Sequence, residues 1–102
     1  MPVDLSFTEY GTGSPVVIVH GLFGSKRNWA SIAKQLGRTH RIIAVDQRNH
    51  GDSPWTDEHT YTHMAEDLAH LIRNHADGRA TVIGHSMGGK AAMALALSEP
   101  DL

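Results

Sequence analysis

The stretch that decides the fold is Ala80-Thr81-Val82-Ile83-Gly84-His85-Ser86-Met87-Gly88-Gly89-Lys90. A short apolar run, 80–83, is typical of a buried strand, and the small-residue segment 90–97 is typical of a helix. The five residues between them have the form G-x-S-x-G and must form the turn. A serine at the tip of such a turn projects its hydroxyl as a nucleophile. Gly84 and Gly88 flank it where side chains would collide as strand and helix approach; a glycine-rich loop without chemistry is the alternative.

Two further strand-helix pairs precede this stretch. Val16-Val17-Ile18-Val19 and Arg41-Ile42-Ile43-Ala44-Val45-Asp46 are continuous apolar runs, as in strands covered on both faces of a parallel sheet. Apolar residues at helical spacing follow each run, and these helices are predicted to end at Gly37 and at Asp77-Gly78. A looser alternation over 5–10 predicts a half-exposed strand. The order predicts an α/β fold, a parallel sheet with helices on both faces.

The segment 47–60 is polar and too long for an ordinary connection, and long loops at strand ends tend to carry function. Either Thr60 or Thr62 can cap the helix that follows. This loop is therefore a second candidate for site residues.

The composition narrows the class of protein. The 102 residues are 40% hydrophobic and 20% charged, with a formal net charge of -2, which fits one small globular domain without a basic stripe for nucleic acid. No apolar run reaches membrane-spanning length, and the start Met1-Pro2-Val3-Asp4 lacks the features of a signal peptide, so we expect a cytoplasmic protein without a membrane partner. Zero cysteines exclude disulfides and thiolate metal sites. No cofactor is expected.

The residues that follow the three buried strands carry a resemblance to a known family. They are His20-Gly21-Leu22-Phe23-Gly24, then Asp46-Gln47-Arg48-Asn49-His50-Gly51-Asp52-Ser53, then the Gly-His-Ser-Met-Gly-Gly-Lys turn 84–90. Together they resemble the α/β-hydrolase fold, and the Arg-Asn-His-Gly loop with this turn is similar to one esterase branch of that superfamily. The resemblance covers about 16–102. It implies that residues 1–102 are the N-terminal part of a single hydrolase core domain.

The resemblance implies a role for each matching residue. Ser86 would be the nucleophile, and the backbone N–H groups of Leu22 and Met87 would form the oxyanion hole. Phe23 would be a wall of the acyl pocket, although an apolar residue there is equally a packing residue. A further set would support the rim of the site without transferring protons: His20, Gly21, Asp46, Arg48 and His50. The implied substrate is a small-molecule carboxylic ester or thioester.

The segment after the serine departs from the family pattern. In this fold the serine is followed by an Asp or Glu and then a His, but Asp101 is the sole aspartate after Ser86 and no histidine follows. The chain therefore matches the first half of the core and is expected to be inactive alone. A strand that should pair with 80–83 is also missing, so its open edge offers a route to self-association. The alternative is a short protein that serves as a binding or assembly module.

Upstream histidines could in principle replace the missing base. His85 adjoins Ser86, but neighbours in an extended turn point apart. His20 and His50 lie at strand ends on the same rim as the serine, where the family keeps such residues as hydrogen-bonding supports. We therefore expect the base further along the chain.

A metal site is also conceivable from the pattern of one helix. The residues His59, His63, Glu66 and His70 share a helical face. They lie opposite the apolar residues of that helix, so a solvated face is the favoured interpretation and no metal site is predicted.

A rival function comes from the same stretch as the nucleophile. Residues 84–90 also spell G-x-x-x-x-G-K between a strand and a helix, as a phosphate-binding loop does. Ala91 stands where that motif requires a Ser or Thr to hold Mg²⁺. Nucleotide binding at this loop is therefore the weaker hypothesis.

Overall fold

A computed structural model describes residues 2–76 and 78–102. Strands and helices alternate through most of the chain, as predicted. The elements in chain order are β1 (Phe7–Tyr10), β2 (Pro15–Val19), a 3₁₀ turn (Lys26–Trp29), α1 (Ala30–Leu36), β3 (Arg41–Val45), α2 (Tyr61–His75), β4 (Thr81–Gly84) and α3 (Met87–Ser98).

The four strands form one sheet in the order β1-β3-β2-β4. Strand β2 lies between β3 and β4 and runs parallel to both. Strand β1 pairs with β3 in the antiparallel direction, so the sheet is mixed and the prediction of a parallel sheet holds for three strands. The reason is the turn 11–14, because a connection this short cannot contain the crossover that a parallel strand requires.

Helices cover both faces of the sheet, as predicted. On one face, Val16, Ile18 and Ile42 pack against Ala33 of α1. On the other face, alternate residues of β2 and β3 form the larger core with α2 and α3. This double coverage explains why the two central strands are nearly continuous apolar runs.

The first predicted helix is divided into two parts. Residues 26–29 form the 3₁₀ turn and Ala30–Leu36 form α1, which ends at Gly37 as expected. Ser25 begins the turn, because its hydroxyl accepts from the Arg27 N–H while the Asn28 side chain accepts from the Ser25 N–H. This reciprocal arrangement satisfies backbone donors that the start of a helix leaves free.

The two later helices differ from the prediction at their ends. The Thr60 hydroxyl accepts from the His63 N–H at 3.1 Å, so Thr60 is the cap of α2. The last residue of α2 is His75, while the predicted end at Asp77-Gly78 lies partly outside the described residues, since these omit residue 77. Helix α3 begins at Met87, three residues earlier than the small-residue pattern indicated. Among the described residues, no helix has the length and apolar character needed to cross a bilayer.

Candidate active site

Ser86 occupies the turn between β4 and α3 in a strained conformation. Its backbone has φ 55° and ψ −112°, and positive φ is costly for any residue with a side chain. The side chain makes no capping hydrogen bond to the helix, and the residue is exposed. The hydroxyl is therefore open to an incoming molecule.

The two flanking glycines allow this turn because neither position has space for a side chain. A Cβ on Gly84 would overlap the carbonyl group of Gly88, and a Cβ on Gly88 would overlap the carbonyl oxygens of Val19 and His20. The turn is also tied to the central strand, because the His85 N–H donates to the Val19 carbonyl at 3.0 Å. The first turn of α3 can thus lie directly against the end of β2.

The predicted oxyanion donors lie beside the serine. Met87 is the first residue of α3, so its N–H has no acceptor within the helix. Leu22 lines both cavities that border Ser86, of about 390 and 370 Å³, and Met87 lines the second of them. A Cβ on Gly21 would lie 3.4 Å from the Ser86 Cβ, so the loop after β2 passes close against the turn.

The loop after β2 is held in a second strained conformation. Phe23 has φ 60°, and its N–H donates to Nε2 of His50 at 3.1 Å. The Gly24 N–H donates to the Gly21 carbonyl at 3.0 Å and closes the turn. His50 therefore fixes the backbone immediately after Leu22.

Both nitrogens of His50 and of His20 are already engaged. Nδ1 of His50 lies 2.9 Å from the Arg48 carbonyl oxygen, so Nδ1 carries the proton and Nε2 accepts from Phe23. Nδ1 of His20 likewise donates to the Gly21 carbonyl at 2.7 Å, while Nε2 accepts from the Gln47 N–H at 3.0 Å. Burial lowers the pKa of His20 and keeps it neutral. In this arrangement neither ring has a nitrogen free to take a proton from Ser86.

Asp46 joins the loop after β2 to the loop after β3. One carboxylate oxygen accepts from the Lys26 N–H at 2.8 Å, and the other accepts from the Asp52 N–H at 3.0 Å. The Lys26 ammonium lies 3.6 Å from the second oxygen. Gly51 has φ 51°, and a Cβ there would overlap this carboxylate. The aspartate therefore sets the spacing of both loops.

Arg48 connects the same loop to α2 through a partner that the sequence analysis missed. Its guanidinium donates to both oxygens of Asp67, at 2.7 and 2.9 Å, and both side chains are almost fully buried. The hydrogen bond to Asp67 raises the pKa of Arg48. The sequence does contain an indication of this pair. Asp67 interrupts the apolar stripe of α2 between Met64 and Leu68, and a carboxylate at such a position requires a buried partner.

Two residues of the suggested metal face, His63 and His70, have separate acidic partners. His63 lies 3.0 Å from Glu58, and His70 lies 2.7 Å from Asp4. Burial lowers the pKa of His59, with smaller contributions from His50 and Arg48. Within the described part of the chain, no cluster of three or more His, Cys, Asp or Glu could hold a metal ion.

The geometry of the turn counts against a phosphate-binding loop. Only His85 and Ser86 separate β4 from α3, so residues 87–90 are helical and cannot wrap around an anion. The Lys90 ammonium lies 5.9 Å from the centre of the Tyr61 ring. Tyr61 and Lys90 line one of the cavities at Ser86, and neither was predicted as a residue of the hydrolase site.

The fold and this site define the class of protein. The sequence profile described as alpha/beta hydrolase fold matches residues 14–102, so the chain belongs to the α/β-hydrolase fold family and the predicted resemblance is confirmed.

Particular relatives agree with this assignment. The chain is 49% identical, over 99% of its length, to the sn-1-specific diacylglycerol lipase ABHD11 of Danio rerio, and 52% identical, over 80%, to the esterase YbfF of Escherichia coli (strain K12). Among solved structures, a marine microorganism esterase matches with a TM-score of 0.94 and 45% identity, over 97% of this chain and 38% of that one. The matched region spans about a third of these curated relatives, 33% and 32% of their lengths.

Proposed function

We propose that the protein is a serine hydrolase that cleaves carboxylic esters or thioesters through an acyl-enzyme on Ser86. The observation that carries the proposal is the strained backbone of Ser86, at φ 55° between a strand and a helix, which holds the hydroxyl exposed. Strain of this kind persists only where the surrounding structure imposes it. The similarity to a lipase and to esterases supports an ester as the substrate class.

The proposed reaction begins with attack of the Ser86 hydroxyl oxygen on the ester carbonyl carbon. The new C–O bond places negative charge on the carbonyl oxygen, and the N–H groups of Leu22 and Met87 stabilise it. Removal of one such donor in comparable sites lowers the rate by about a hundredfold or more. When the intermediate collapses, the alcohol or thiol leaves with the serine proton, and water then releases the acid.

We place the base and its carboxylate partner beyond residue 102. His20 and His50 have both nitrogens engaged, and the relatives extend far beyond the matched region. Residues 1–102 are accordingly proposed as the N-terminal part of one core domain, inactive when isolated. A serine without a base keeps its weakly nucleophilic hydroxyl.

A non-catalytic assembly role is the competing proposal, favoured by the open edge of the sheet. Strand β4 is the last in the order, and Ile83 is 40% exposed. Unpaired backbone groups on such an edge can pair with a strand of another molecule. An assembly module would show no turnover that depends on Ser86, so one experiment separates the two roles.

The test uses protein expressed from the complete reading frame, with Ser86→Ala compared with the unchanged protein. Turnover of p-nitrophenyl acetate is expected to fall by about three orders of magnitude or more, as when other catalytic serines are removed. Ser98→Ala is the matched control, because Ser98 lies on the same helix with its hydroxyl bonded to the Ala94 carbonyl. Equal turnover in the Ser86 and Ser98 variants would contradict the proposal.

A further inference from the structure

A third cleft lies on the side of Leu22, and two of its lining residues are exposed aromatic rings. It has a volume of about 540 Å³ and lies between the loop after β2 and the rim loop, residues 46–60. Phe23 on one side is 90% exposed and Trp55 on the other is 74% exposed. Large apolar side chains left in water next to one another indicate a binding surface. We call this feature the Phe23–Trp55 cleft.

Phe23, which forms one wall of the cleft, is held in an unfavourable backbone conformation. A φ of 60° is unfavourable for a bulky residue, and the hydrogen bond from its N–H to His50 maintains it. Among the described residues the ring gains no burial in return, since it remains exposed. The conformation therefore positions an aromatic ring toward the cleft without contributing to the core.

The Trp55 wall is held by the side chain of Asn49. The Asn49 carbonyl oxygen accepts from the Thr56 N–H at 2.5 Å, and its amide donates to the Glu58 carbonyl at 3.3 Å. The Asn49 N–H itself donates to the Pro54 carbonyl at 3.0 Å. The backbone on both sides of Trp55 is thus fixed, so the tryptophan is not part of a loosely attached loop tip.

The cleft adjoins one of the cavities at Ser86. Leu22 and His59 line both of them, and Leu22 also carries a proposed oxyanion donor. A substrate held at Ser86 can therefore extend into the cleft past Leu22. The two histidines there do not favour a charged group in the cleft, because Nδ1 and Nε2 of His50 are both used in backbone hydrogen bonds and burial lowers the pKa of His59.

We propose that the Phe23–Trp55 cleft binds the hydrocarbon chain of the ester and that Trp55 sets the preference for chain length. The proposal rests on the proposed function at Ser86 and deepens it by naming the substrate class, esters that carry an unbranched chain of several carbons. Each methylene taken out of water favours binding, and the two rings supply the apolar contact.

The first test compares kcat/KM for p-nitrophenyl octanoate and p-nitrophenyl acetate in protein from the complete reading frame. Trp55→Ala is expected to lower the octanoate-to-acetate ratio by about tenfold or more, while Trp55→Phe retains most of it. Leu97→Ala is the matched control, because Leu97 is also highly exposed but lies near the far end of α3. A parallel series of alkyl acetates shows whether the chain belongs to the acid or to the alcohol.

The second test measures binding without turnover. Residues 1–102 contain Trp29 and Trp55. In Ser86→Ala protein from the complete reading frame, the emission of Trp55 is obtained as the difference between that protein and the same protein with Trp55→Phe. Titration with 1-octanol is expected to shift its emission to shorter wavelength, and ethanol at the same concentration is expected to leave it unchanged. An octanol-dependent shift without serine-dependent turnover would support the cleft as a binding site and contradict the proposed function at Ser86.

Other outcomes would contradict the proposed role of the Phe23–Trp55 cleft without contradicting the proposed function at Ser86. If turnover depends on Ser86 but Trp55→Ala leaves the ratio in both ester series unchanged, the chain binds elsewhere. If Trp55→Ala lowers kcat/KM for both p-nitrophenyl esters by the same factor, Trp55 packs against another part of the protein. If it changes the elution volume in size-exclusion chromatography, Trp55 packs against a second copy. Absence of any fluorescence shift with 1-octanol would also contradict the proposal.

Discussion

The elbow, residues 84–88, and the rim loop, residues 46–60, reach the same edge of the sheet by opposite means. The elbow is shaped by missing side chains, because Gly84 and Gly88 leave no space for a Cβ. The rim loop is shaped by side chains that are present, above all the buried pair of Arg48 and Asp67. We therefore expect the elbow to be destabilised by a methyl group added at one of its glycines. We expect the rim loop to be destabilised by removal of one charged side chain from the buried pair.

The rim loop offers the largest expected effect. Asp67→Ala leaves the Arg48 guanidinium buried without its carboxylate, and removal of one partner from a buried pair costs about 3–5 kcal/mol. Asp67 also accepts from the Val3 N–H at 2.9 Å, so the start of the chain loses an attachment as well. Urea unfolding followed by circular dichroism measures the loss.

The matched control for this change is an ion pair on the surface. Glu9 lies 2.8 Å from Arg41, and its side chain is 42% exposed. Such pairs contribute at most about 1 kcal/mol, so Glu9→Ala should have a small effect. Equal losses for Asp67→Ala and Glu9→Ala would show that the buried pair does not hold the rim loop.

The elbow offers the next largest effect, with adjacent glycines as test and control. Gly88→Ala places a Cβ against the carbonyl oxygens of Val19 and His20, which belong to the backbone and cannot turn away. We expect a loss of about 3 kcal/mol in the free energy of unfolding. Gly89→Ala should instead stabilise α3 by about 0.5–1 kcal/mol, because its Cβ would lie 3.4 Å from the nearest atom, the Gly84 oxygen.

The same urea titration measures both glycine variants. A similar stability for Gly88→Ala and Gly89→Ala would mean that the first turn of α3 can move away from β2. The hypothesis that steric exclusion at Gly88 shapes the elbow would then be wrong. A loss confined to Gly88→Ala would support it.

The elbow could be predicted from the sequence because its determinants are adjacent. Gly84, Ser86 and Gly88 lie within five residues, and the strand and helix that they connect follow directly on either side. The family and the α/β architecture followed from this motif and the two that precede it. The start of α3 was placed too late, because Gly88 and Gly89 in its first turn are poor indicators of a helix when taken alone.

The rim loop could be predicted only in part because its partners are distant in the chain. Arg48 and Asp67 are 19 positions apart, and Val3 and Asp67 are 64 positions apart. No local pattern joins such residues, although a carboxylate in an apolar stripe indicated that a partner existed. The antiparallel direction of β1, by contrast, had a local indication, because the turn 11–14 is too short for the crossover that a parallel strand requires.

The smallest expected effect concerns His20, which joins the two regions. Its Nε2 accepts from the Gln47 N–H at the start of the rim loop, and its carbonyl oxygen faces Gly88 of the elbow. Burial holds the pKa of His20 below its ordinary value of 6.5. The unfolded chain therefore takes up a proton on this imidazole more readily than the folded protein does. Stability from this residue is therefore complete above pH 6.5 and declines as the pH falls from 6.5 toward the lowered pKa. At pH 5.5 the loss is at most about 1.4 kcal/mol, one unit below the unfolded value.

His20→Gln removes this titration and retains a side-chain acceptor for the Gln47 N–H. Unfolding free energies at pH 7.5 and 5.5 should differ less in the variant than in the unchanged protein. Other groups that titrate in this interval contribute to both proteins and cancel in the comparison. The difference should vanish between pH 7.5 and 8.5, where His20 is neutral in both states. An identical decline in both proteins between pH 7.5 and 5.5 would mean that His20 takes up its proton equally readily in the folded and the unfolded chain, and the connection between elbow and rim loop would then not depend on the Gln47 N–H bond to Nε2.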